Sequence, residues 1–286
     1  MKITENILRQ VILPRKENSQ KSDYGRALLI GGIPRYAGAI IMAANACVSS
    51  GAGLVTVATD AKNRSSLLAY RAEVMVLDWL ESQLLTQAIQ KSDVILLGPG
   101  MGESSFSLTL VKEVLRLCQN QILIIDASAI NLFAAHQDLL TRLPKKTIFT
   151  PHQKELERLS GLVIPEQSSE KIQAFCEQIQ AVIVAKSHQT KIFVPNHLPF
   201  ELTNGTPAMA TGGMGDTLAG MIAGFTCQFK RDLANSIACA TYLHSQIATE
   251  LAKEHYVVLP HQITENISRQ MKFYENKDEL TPENES

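Results

Sequence analysis

Short apolar segments alternate with longer amphipathic segments over most of this chain, and this alternation constrains the fold more than any other feature. Strands are predicted at residues 26–30, 54–58, 73–77, 93–97, 121–125, 147–149, 181–185, 191–194 and 198–202. Helices are predicted at residues 37–50, 63–70, 82–90, 106–118, 151–161, 165–178, 233–253 and 260–274, and another runs from the glycines near residue 213 to about residue 229. Strands that are apolar on both faces and alternate with helices predict an α/β fold, in which helices cover both sides of a parallel sheet.

Glycines and polar residues directly follow several of the predicted strands. They are residues 31–32, residues 98–102, Asp126 and residues 150–152. In an open parallel sheet the ligand binds beyond the carboxyl ends of the strands. We therefore expect the functional site at that edge of the sheet.

Residues 204–216, N-G-T-P-A-M-A-T-G-G-M-G-D, stand directly before an apolar run with helical spacing. The glycines therefore lie where a helix begins, and the unpaired N–H groups and dipole of a helix start attract anions. Asp216 would repel such an anion unless it accepts a proton from a hydroxyl that attacks phosphorus. The structural alternative for Asp216 is a helix cap. The segment matches neither a P-loop nor a dinucleotide-binding fingerprint.

The composition argues against several classes of protein. The 286 residues are 45% hydrophobic and carry a formal net charge of −1, whereas a nucleic-acid-binding protein usually has a basic surplus. The five scattered cysteines include no C-x-x-C pair and predict free thiols in the cytoplasm. No secretory signal or membrane span is expected. Without a linker or repeat, residues 1–274 are predicted to form one domain and residues 275–286 a disordered polar tail.

A set of short motifs runs in order along almost the whole chain. The motifs are G-G-I-P-R-Y-A-G-A (31–39), S-G-A-G-L-V-T-V (50–57), G-P-G-M-G (98–102), D-A-S-A-I-N (126–131), T-P-H-Q-K-E (150–155), A-K-S-H-Q-T (185–190) and the segment 204–216. With these motifs the chain resembles the ADP-dependent NAD(P)H-hydrate dehydratases, a branch of the ribokinase-like superfamily. The resemblance implies a three-layer ribokinase-like fold whose central sheet is mostly parallel.

The family repairs reduced nicotinamide cofactors whose ring has taken up water. The resemblance implies a carbon–oxygen lyase that acts on the S epimer of hydrated NADH or NADPH. ADP would phosphorylate the ring hydroxyl and phosphate would then leave, so that the products are NAD(P)H, AMP and phosphate. The resemblance also implies Mg²⁺ as cofactor and a homo-oligomer, with a tetramer as the state that the family suggests. The choice between NADH and NADPH hydrate, and between ADP and ATP, stays open.

The resemblance also assigns residues. Hydrate-binding positions are matched by Ala39, Gly102, His152 and Asp216, and nucleotide-binding positions by Lys186, Ser187, His188, Gln189, Thr190 and Gly215. Asp216 is the candidate base, and the amides of residues 213–215, which include Gly213 and Gly215, would hold the migrating phosphoryl group. Mg²⁺ would bridge the nucleotide phosphates without a direct protein ligand, and Glu155 would contact its water shell.

The chain departs from the family pattern at Ser187, where the family usually has glycine, and at Ser128 and Met214. Serine follows the path of that glycine only if its φ is negative. Two other functions share the predicted nucleotide site. One is a vitamin-precursor kinase, which would stop at the phosphate ester, and the other is a nucleotide-binding regulator without turnover.

Three polar residues have both a structural and a functional interpretation. His152 follows a proline at a helix start and either caps that helix or contacts the ligand, as the resemblance implies. Asp126 either helps the site or caps the following helix, so it is left out of the catalytic set. His244 lies in an Ala-rich helical segment, and its pattern favours a buried structural histidine.

Overall fold

The computed structural model describes residues 1–275 and contains one central sheet of ten strands. The strands are β1 (Lys2–Ile3), β2 (Arg26–Ile30), β3 (Leu54–Thr59), β4 (Met75–Asp78), β5 (Val94–Leu97), β6 (Ile122–Ile125), β7 (Thr147–Phe149), β8 (Val182–Ala185), β9 (Lys191–Phe193) and β10 (Phe200–Leu202). Their order across the sheet is β1-β10-β9-β8-β7-β6-β5-β2-β3-β4.

All pairs from β4 to β8 are parallel, which confirms the predicted mostly parallel sheet. The pairs β8–β9 and β9–β10 are antiparallel, because the connections between these strands are too short for a helical crossover. β1 pairs in parallel with β10 at the far edge, where Lys2 is opposite Glu201. This two-residue strand was not predicted from the sequence.

Helices cover both faces of the sheet. They are α1 (Asn6–Val11), α2 (Ala37–Ser49), α3 (Arg64–Tyr70), α4 (Ser82–Lys91), α5 (Ser105–Leu117), α6 (Ser128–Ala135), α7 (Gln153–Ser160), α8 (Ser169–Ile179), α9 (Met214–Gln228), α10 (Leu233–Leu251) and α11 (Pro260–Tyr274). Each predicted helix is present, whereas α1 was not predicted and α6 was expected only as a helix after Asp126, without bounds.

Two hydrophobic cores lie on opposite faces of the sheet. Neighbouring strand residues alternate between them, so that Leu29 belongs to the core with α1, α2, α9, α10 and α11. Leu28 and Ile30 belong to the core with α4–α8. The same alternation in β5 and β6 shows why these strands are apolar throughout. The three-layer arrangement predicted from the resemblance is confirmed.

Helix α9 packs against α2 through backbone contact. A Cβ atom placed on Gly220 would lie 2.1 Å from the carbonyl oxygen of Ala43, and one on Gly224 would lie 2.8 Å from that of Cys47. Glycine is therefore required where the two helices are closest. This contact places the first turn of α9, which carries Asp216, on the same side of the sheet as the first turn of α2, which carries Ala39.

Three expectations concern the C-terminal tail, membrane spans and the cysteines. Residues 276–286, which make up nearly all of the expected polar tail, lie outside the described residues. Across the described residues, no helix has both the length and the apolar character needed to cross a membrane. All five cysteines are free, and Cys47, Cys227 and Cys239 are buried as predicted.

Candidate active site

The candidate site lies at the carboxyl ends of the central parallel strands. Gly31 follows β2, Gly98 follows β5 and Asp126 follows β6, while Thr150 and Lys186 directly follow β7 and β8. A hydrogen bond joins the loop after β2 to the loop after β5, since the N–H of Gly32 donates to the carbonyl of Pro99 (2.9 Å). The predicted edge of the sheet thus brings these motifs together.

The first turn of α9 forms the other wall of the site. Gly213 has a φ of +91°, and a Cβ atom there would lie 2.3 Å from Sδ of Met42, so only glycine fits. The first hydrogen bond within the helix runs from the N–H of Thr217 to the carbonyl of Gly213 (2.9 Å). The N–H groups of Met214 and Gly215 precede it and are donors for an anion. The predicted glycine turn is therefore present at the start of a helix, and anion binding by it remains a prediction.

The ammonium group of Lys186 lies against this turn. Its Nζ atom is 3.0 Å from the position that a Cβ atom on Gly215 would take. Nζ also forms an ion pair with Oδ1 of Asp126 at 2.8 Å, and the same oxygen accepts the hydroxyl of Thr150 at 2.7 Å. Lys186 was predicted to bind nucleotide, but neither its pairing with Asp126 nor the role of Thr150 was predicted. Asp126 does not cap α6, whose N-cap is Ala127.

Three carboxylates share this one ammonium group. Burial by itself lowers the pKa of Lys186, but the negative charges of Asp126, Glu155 and Asp216 outweigh it and raise that pKa above its usual value. Lys186 therefore stays charged. Burial raises the pKa of the Glu155 carboxyl, which is only 6% exposed, and the charge of Lys186 opposes that rise. The excess of negative charge favours binding of a cation together with an anionic ligand.

Asp216 is half-buried at this turn, and its pKa is raised from 3.8 to about 7. Burial is the largest cause, the charge of Asp126 adds to it, Lys186 lowers the pKa and Glu155 raises it further. A carboxyl group with a pKa near neutrality suits proton transfer, because it is readily deprotonated and still a useful base.

This raised pKa makes a prediction for the pH dependence of activity. The base must be ionised to accept a proton, and Asp216 is protonated below its pKa of about 7. We expect kcat/KM to fall roughly tenfold per pH unit below about pH 7 and to level off above it. A pH–rate profile measured between pH 5 and 9 checks this. A profile that is flat down to pH 5 would exclude Asp216 as a base with this pKa.

His152 caps helix α7, which confirms its structural interpretation. Its Nδ1 atom accepts the N–H groups of Lys154 (3.1 Å) and Glu155 (3.3 Å). The Glu155 carboxylate in turn accepts the N–H of His152 at 2.8 Å, which completes a capping box. Half of the His152 side chain, 53%, remains exposed at the site. Contact of His152 with the hydrate remains a prediction.

Two other predicted hydrate-binding residues lie in adjoining segments, Ala39 in the first turn of α2 and Gly102 in the loop after β5. A Cβ atom on Gly100 would lie 3.2 Å from Cβ of Ala39, so the turn of residues 98–102 lies against the start of α2. Gly102 has a φ of +72°, and its N–H donates to Oγ of Ser128 at 3.1 Å. Ser128, a departure from the family pattern, thus supports the turn that carries Gly102.

Residues 186–190, the predicted nucleotide loop, connect β8 to β9. Ser187 is not among the residues with positive φ, so serine follows this path without strain. Oγ1 of Thr190 donates to the carbonyl of Ser187 (3.1 Å) and accepts its N–H (3.3 Å), while the N–H of Gln189 donates to Oγ of Ser187 (3.1 Å). The carbonyl of His188 lies 3.6 Å from the Cβ position of Gly205, beside the segment before α9. Nucleotide binding by this loop remains a prediction.

His244 is buried in α10, as its sequence pattern predicts, and is 3% exposed. Burial, followed by the charge of Lys186, lowers the pKa of His244 to about 4, whereas the backbone of Met214 raises it. His244 is therefore neutral at physiological pH. Its Nε2 atom has no hydrogen-bond partner within residues 1–275.

No group of three or more His, Cys, Asp or Glu residues forms a metal cage among the described side chains. The acidic side chains near the first turn of α9 instead suit a metal ion that is bound through oxygen atoms and water molecules. Mg²⁺ prefers oxygen ligands and keeps much of its water, so Glu155 can contact such an ion through water while nucleotide phosphates supply direct ligands. The residues present therefore fit a Mg²⁺–nucleotide complex.

Comparison with known proteins places the chain in a family. The family model for NAD(P)H-hydrate dehydratase matches residues 27–269. An ADP-dependent (S)-NAD(P)H-hydrate dehydratase of Lactococcus lactis is 50% identical over 277 residues, which are 96% of this chain and 99% of that protein. The enzyme of the same name from Enterococcus faecalis is 48% identical, and the match covers 95% of this chain and 93% of that protein.

Solved structures agree with this result. A ribokinase-like superfamily protein of Enterococcus faecalis matches with a TM-score of 0.93 and 48% identity, over 96% of both chains. The ADP/ATP-dependent NAD(P)H-hydrate dehydratase of Bacillus subtilis, crystallised with ATP and Mg²⁺, matches with a TM-score of 0.80 and 27% identity, over 95% of this chain and 98% of that one. With this fold, this arrangement of motifs and this similarity along nearly its whole length, the chain belongs to the NAD(P)H-hydrate dehydratase family of ribokinase-like enzymes.

Proposed function

We propose that this protein is an ADP-dependent lyase that dehydrates the S epimer of hydrated NADH or NADPH. The observation that carries the proposal is the first turn of α9, where Asp216, with a pKa of about 7, stands beside the amides of an anion-binding turn. The names of relatives at 50% and 48% identity support this reaction and this epimer.

In the proposed reaction the ring hydroxyl oxygen attacks the terminal phosphorus of ADP. A new P–O bond forms, the P–O bond to AMP breaks, and Asp216 accepts the hydroxyl proton. Phosphate then leaves with the electrons of the C–O bond, while the ring nitrogen supplies an electron pair and the neighbouring ring carbon loses a proton. The double bond is thereby restored. Phosphorylation helps because phosphate is a much better leaving group than hydroxide.

Besides the base, the chain's own residues take four roles in this proposal. The amides of residues 213–215, together with the ammonium of Lys186, stabilise the negative charge of the migrating phosphoryl group. Ala39, Gly102 and His152 bind the hydrate, and the loop of residues 186–190 binds the nucleotide. Mg²⁺, when bound, neutralises charge on the nucleotide phosphates, and Glu155 holds its water shell.

We also propose a homo-oligomer, with a tetramer as its state, in the cytoplasm. Large apolar side chains are exposed on the described surface, among them Tyr256 (99%), Leu80 (69%) and Phe273 (66%). Exposed apolar groups fit a protein that buries surface against copies of itself. The five free thiols fit a reducing compartment.

One assay separates the proposed reaction from its alternatives. The protein is mixed with Mg²⁺, ADP and S-epimer NADPH hydrate, and recovery of reduced-nicotinamide absorbance is followed together with AMP. Recovery that depends on ADP, with AMP formed in equal amount, supports the dehydratase. Accumulation of a phosphate ester on a hydroxymethylpyrimidine or thiazole with ATP would instead indicate a vitamin-precursor kinase. Nucleotide binding without either product would indicate a regulator.

Substitution of Gly215 tests the composite anion site. Gly215→Ala places a methyl group 3.0 Å from Nζ of Lys186, so either the ammonium or the turn must shift. We expect kcat to fall roughly tenfold or more, because the phosphoryl-stabilising donors lose their alignment. Gly212→Ala is the matched control, since nothing lies within 4 Å of its Cβ position. Equal activity of the two variants would show that the ammonium is not held against the turn.

A further inference from the structure

Asp126 occupies a central position among the charges of the site although it was not assigned a role. It follows β6 directly and is 1% exposed. Its Oδ1 atom accepts two hydrogen bonds, from the hydroxyl of Thr150 at 2.7 Å and from the ammonium of Lys186 at 2.8 Å. Thr150 directly follows β7, and its N–H donates to the carbonyl of Ile125 at the end of β6 at 3.1 Å. The carboxylate is therefore held by two neighbouring strands.

Lys186 is also fixed at both of its ends. Its backbone N–H donates to the carbonyl of Pro151 at 2.8 Å, which continues the parallel pairing of β7 and β8 beyond the strands. Its ammonium stands at 2.8 Å from Asp126 and at 3.0 Å from the Cβ position of Gly215. A lysine side chain has many rotamers, so an ammonium in one place needs a partner that selects it.

We propose that Asp126 is a positioning residue, which holds the ammonium of Lys186 against the first turn of α9 so that the ammonium and the turn amides form one anion hole. The inference rests on the proposed function, because it assigns the hole to phosphoryl transfer. In this role Asp126 does not touch the reacting atoms: it places Lys186, and its charge also raises the pKa of Asp216. A buried ion pair that merely stabilises the fold is the competing interpretation.

The charges around Asp216 give the proposal a further measurable consequence. Asp126 and Glu155 raise the pKa of Asp216, whereas Lys186 lowers it. His244 in α10 is neutral, because burial and the charge of Lys186 lower its pKa. Removal of the Asp126 charge therefore lowers the pKa of Asp216. A released ammonium also moves toward the remaining carboxylates, Glu155 and Asp216, and lowers this pKa further.

The first experiment is Asp126→Asn, which keeps the size of the side chain and removes its charge. At a pH where Asp216 is ionised in both enzymes, kcat is expected to fall about 100-fold, since a displacement of about 1 Å in a site has this effect. The acid limb of the pH–rate profile is expected to move to lower pH. Asp93→Asn is the control, because it removes an ion pair of similar length, to Lys230 at 3.0 Å, at the amino ends of the strands. Asp93→Asn should change neither kcat nor the acid limb.

The second experiment is a double-mutant cycle of Asp126→Asn with Gly215→Ala. Gly215→Ala acts by colliding with an ammonium in its fixed place, so it should cost little more once Asp126→Asn has released that ammonium. Effects on kcat that multiply, or an unmoved acid limb, would overturn the proposal.

If Asp126→Asn does not fold, Thr150→Val serves instead, because it keeps both charges and removes only the hydroxyl that fixes Asp126. It should lower kcat and be non-additive with Gly215→Ala, and full additivity would overturn the proposal.

A third measurement does not depend on turnover. Carbon-13 NMR titration of the Asp216 carboxyl group in the free protein should give a lower pKa in Asp126→Asn than in the parent, and an unchanged value would contradict the proposal. If the parent protein fails to dehydrate the hydrate, the proposed function fails by itself. The NMR titration then still tests whether Asp126 sets the charges at the turn.

Discussion

Asp216→Asn is expected to lower kcat by about 10²–10⁴-fold, the range in which a positioned general base contributes. Asparagine has nearly the same shape as aspartate and can still occupy the first turn of α9, but it accepts no proton at neutral pH. The anion-binding amides of residues 213–215 remain in place. Affinity for ADP should therefore be retained or become tighter, since a negative charge beside the phosphates is removed.

Single-turnover kinetics and calorimetric binding of ADP measure these two effects separately. Asp232→Asn is a matched control, because Asp232 is also an acid at a helix start, where Oδ1 accepts the N–H of Asn235 at 3.0 Å. Asparagine caps a helix about as well as aspartate, and Asp232 lies outside the site, so this variant should keep the parent rate. If Asp216→Asn dehydrates the hydrate at near the parent rate, Asp216 is not the base.

Gly220→Ala is expected to destabilise the fold by about 2–3 kcal/mol, the cost of inserting a methyl group into a closely packed contact. Its Cβ would lie 2.1 Å from the carbonyl oxygen of Ala43 in α2, and backbone cannot turn aside as a side-chain tip can. The two helices must separate, although alanine is intrinsically a better helix former than glycine by about 1 kcal/mol.

Urea denaturation of both variants measures the free energy of unfolding. Gly38→Ala is the control, because Gly38 also lies in one of these two helices and nothing is within 4 Å of its Cβ position. There the helix propensity of alanine should raise stability by up to about 1 kcal/mol. If Gly38→Ala lost stability and Gly220→Ala did not, the contact between α2 and α9 would not be as close as described.

The sequence predicts the centre of the sheet well because β5, β6, β7 and β8 are buried on both faces and therefore almost entirely apolar. It does not predict β1, since Lys2–Ile3 is too short to show a pattern. The antiparallel strands β9 and β10 are found as segments, but their direction depends on connection length rather than on residue pattern. Local periodicity therefore identifies the elements better than it identifies their pairing.

For the site, glycine motifs and their place after strands predict the correct edge of the sheet. The pairing of Lys186 with Asp126 is not predictable in this way, because the partners lie 60 positions apart and join only when β6 and β8 enter one sheet. His152 shows the opposite case. Its capping contacts involve residues two and three positions away, and the P-H-x-x-E spacing already contains them.

The pairing of β1 with β10 has a consequence for synthesis of the protein. Residues 2–3 leave the ribosome long before residues 200–202 are made, so this border of the sheet closes only after most of the chain has emerged. Until then β1 and β9, which flank β10 in the finished sheet, lack this partner strand. An incomplete chain therefore presents unpaired backbone N–H and C=O groups there. Translation that stalls before residue 200 should therefore yield products prone to self-association.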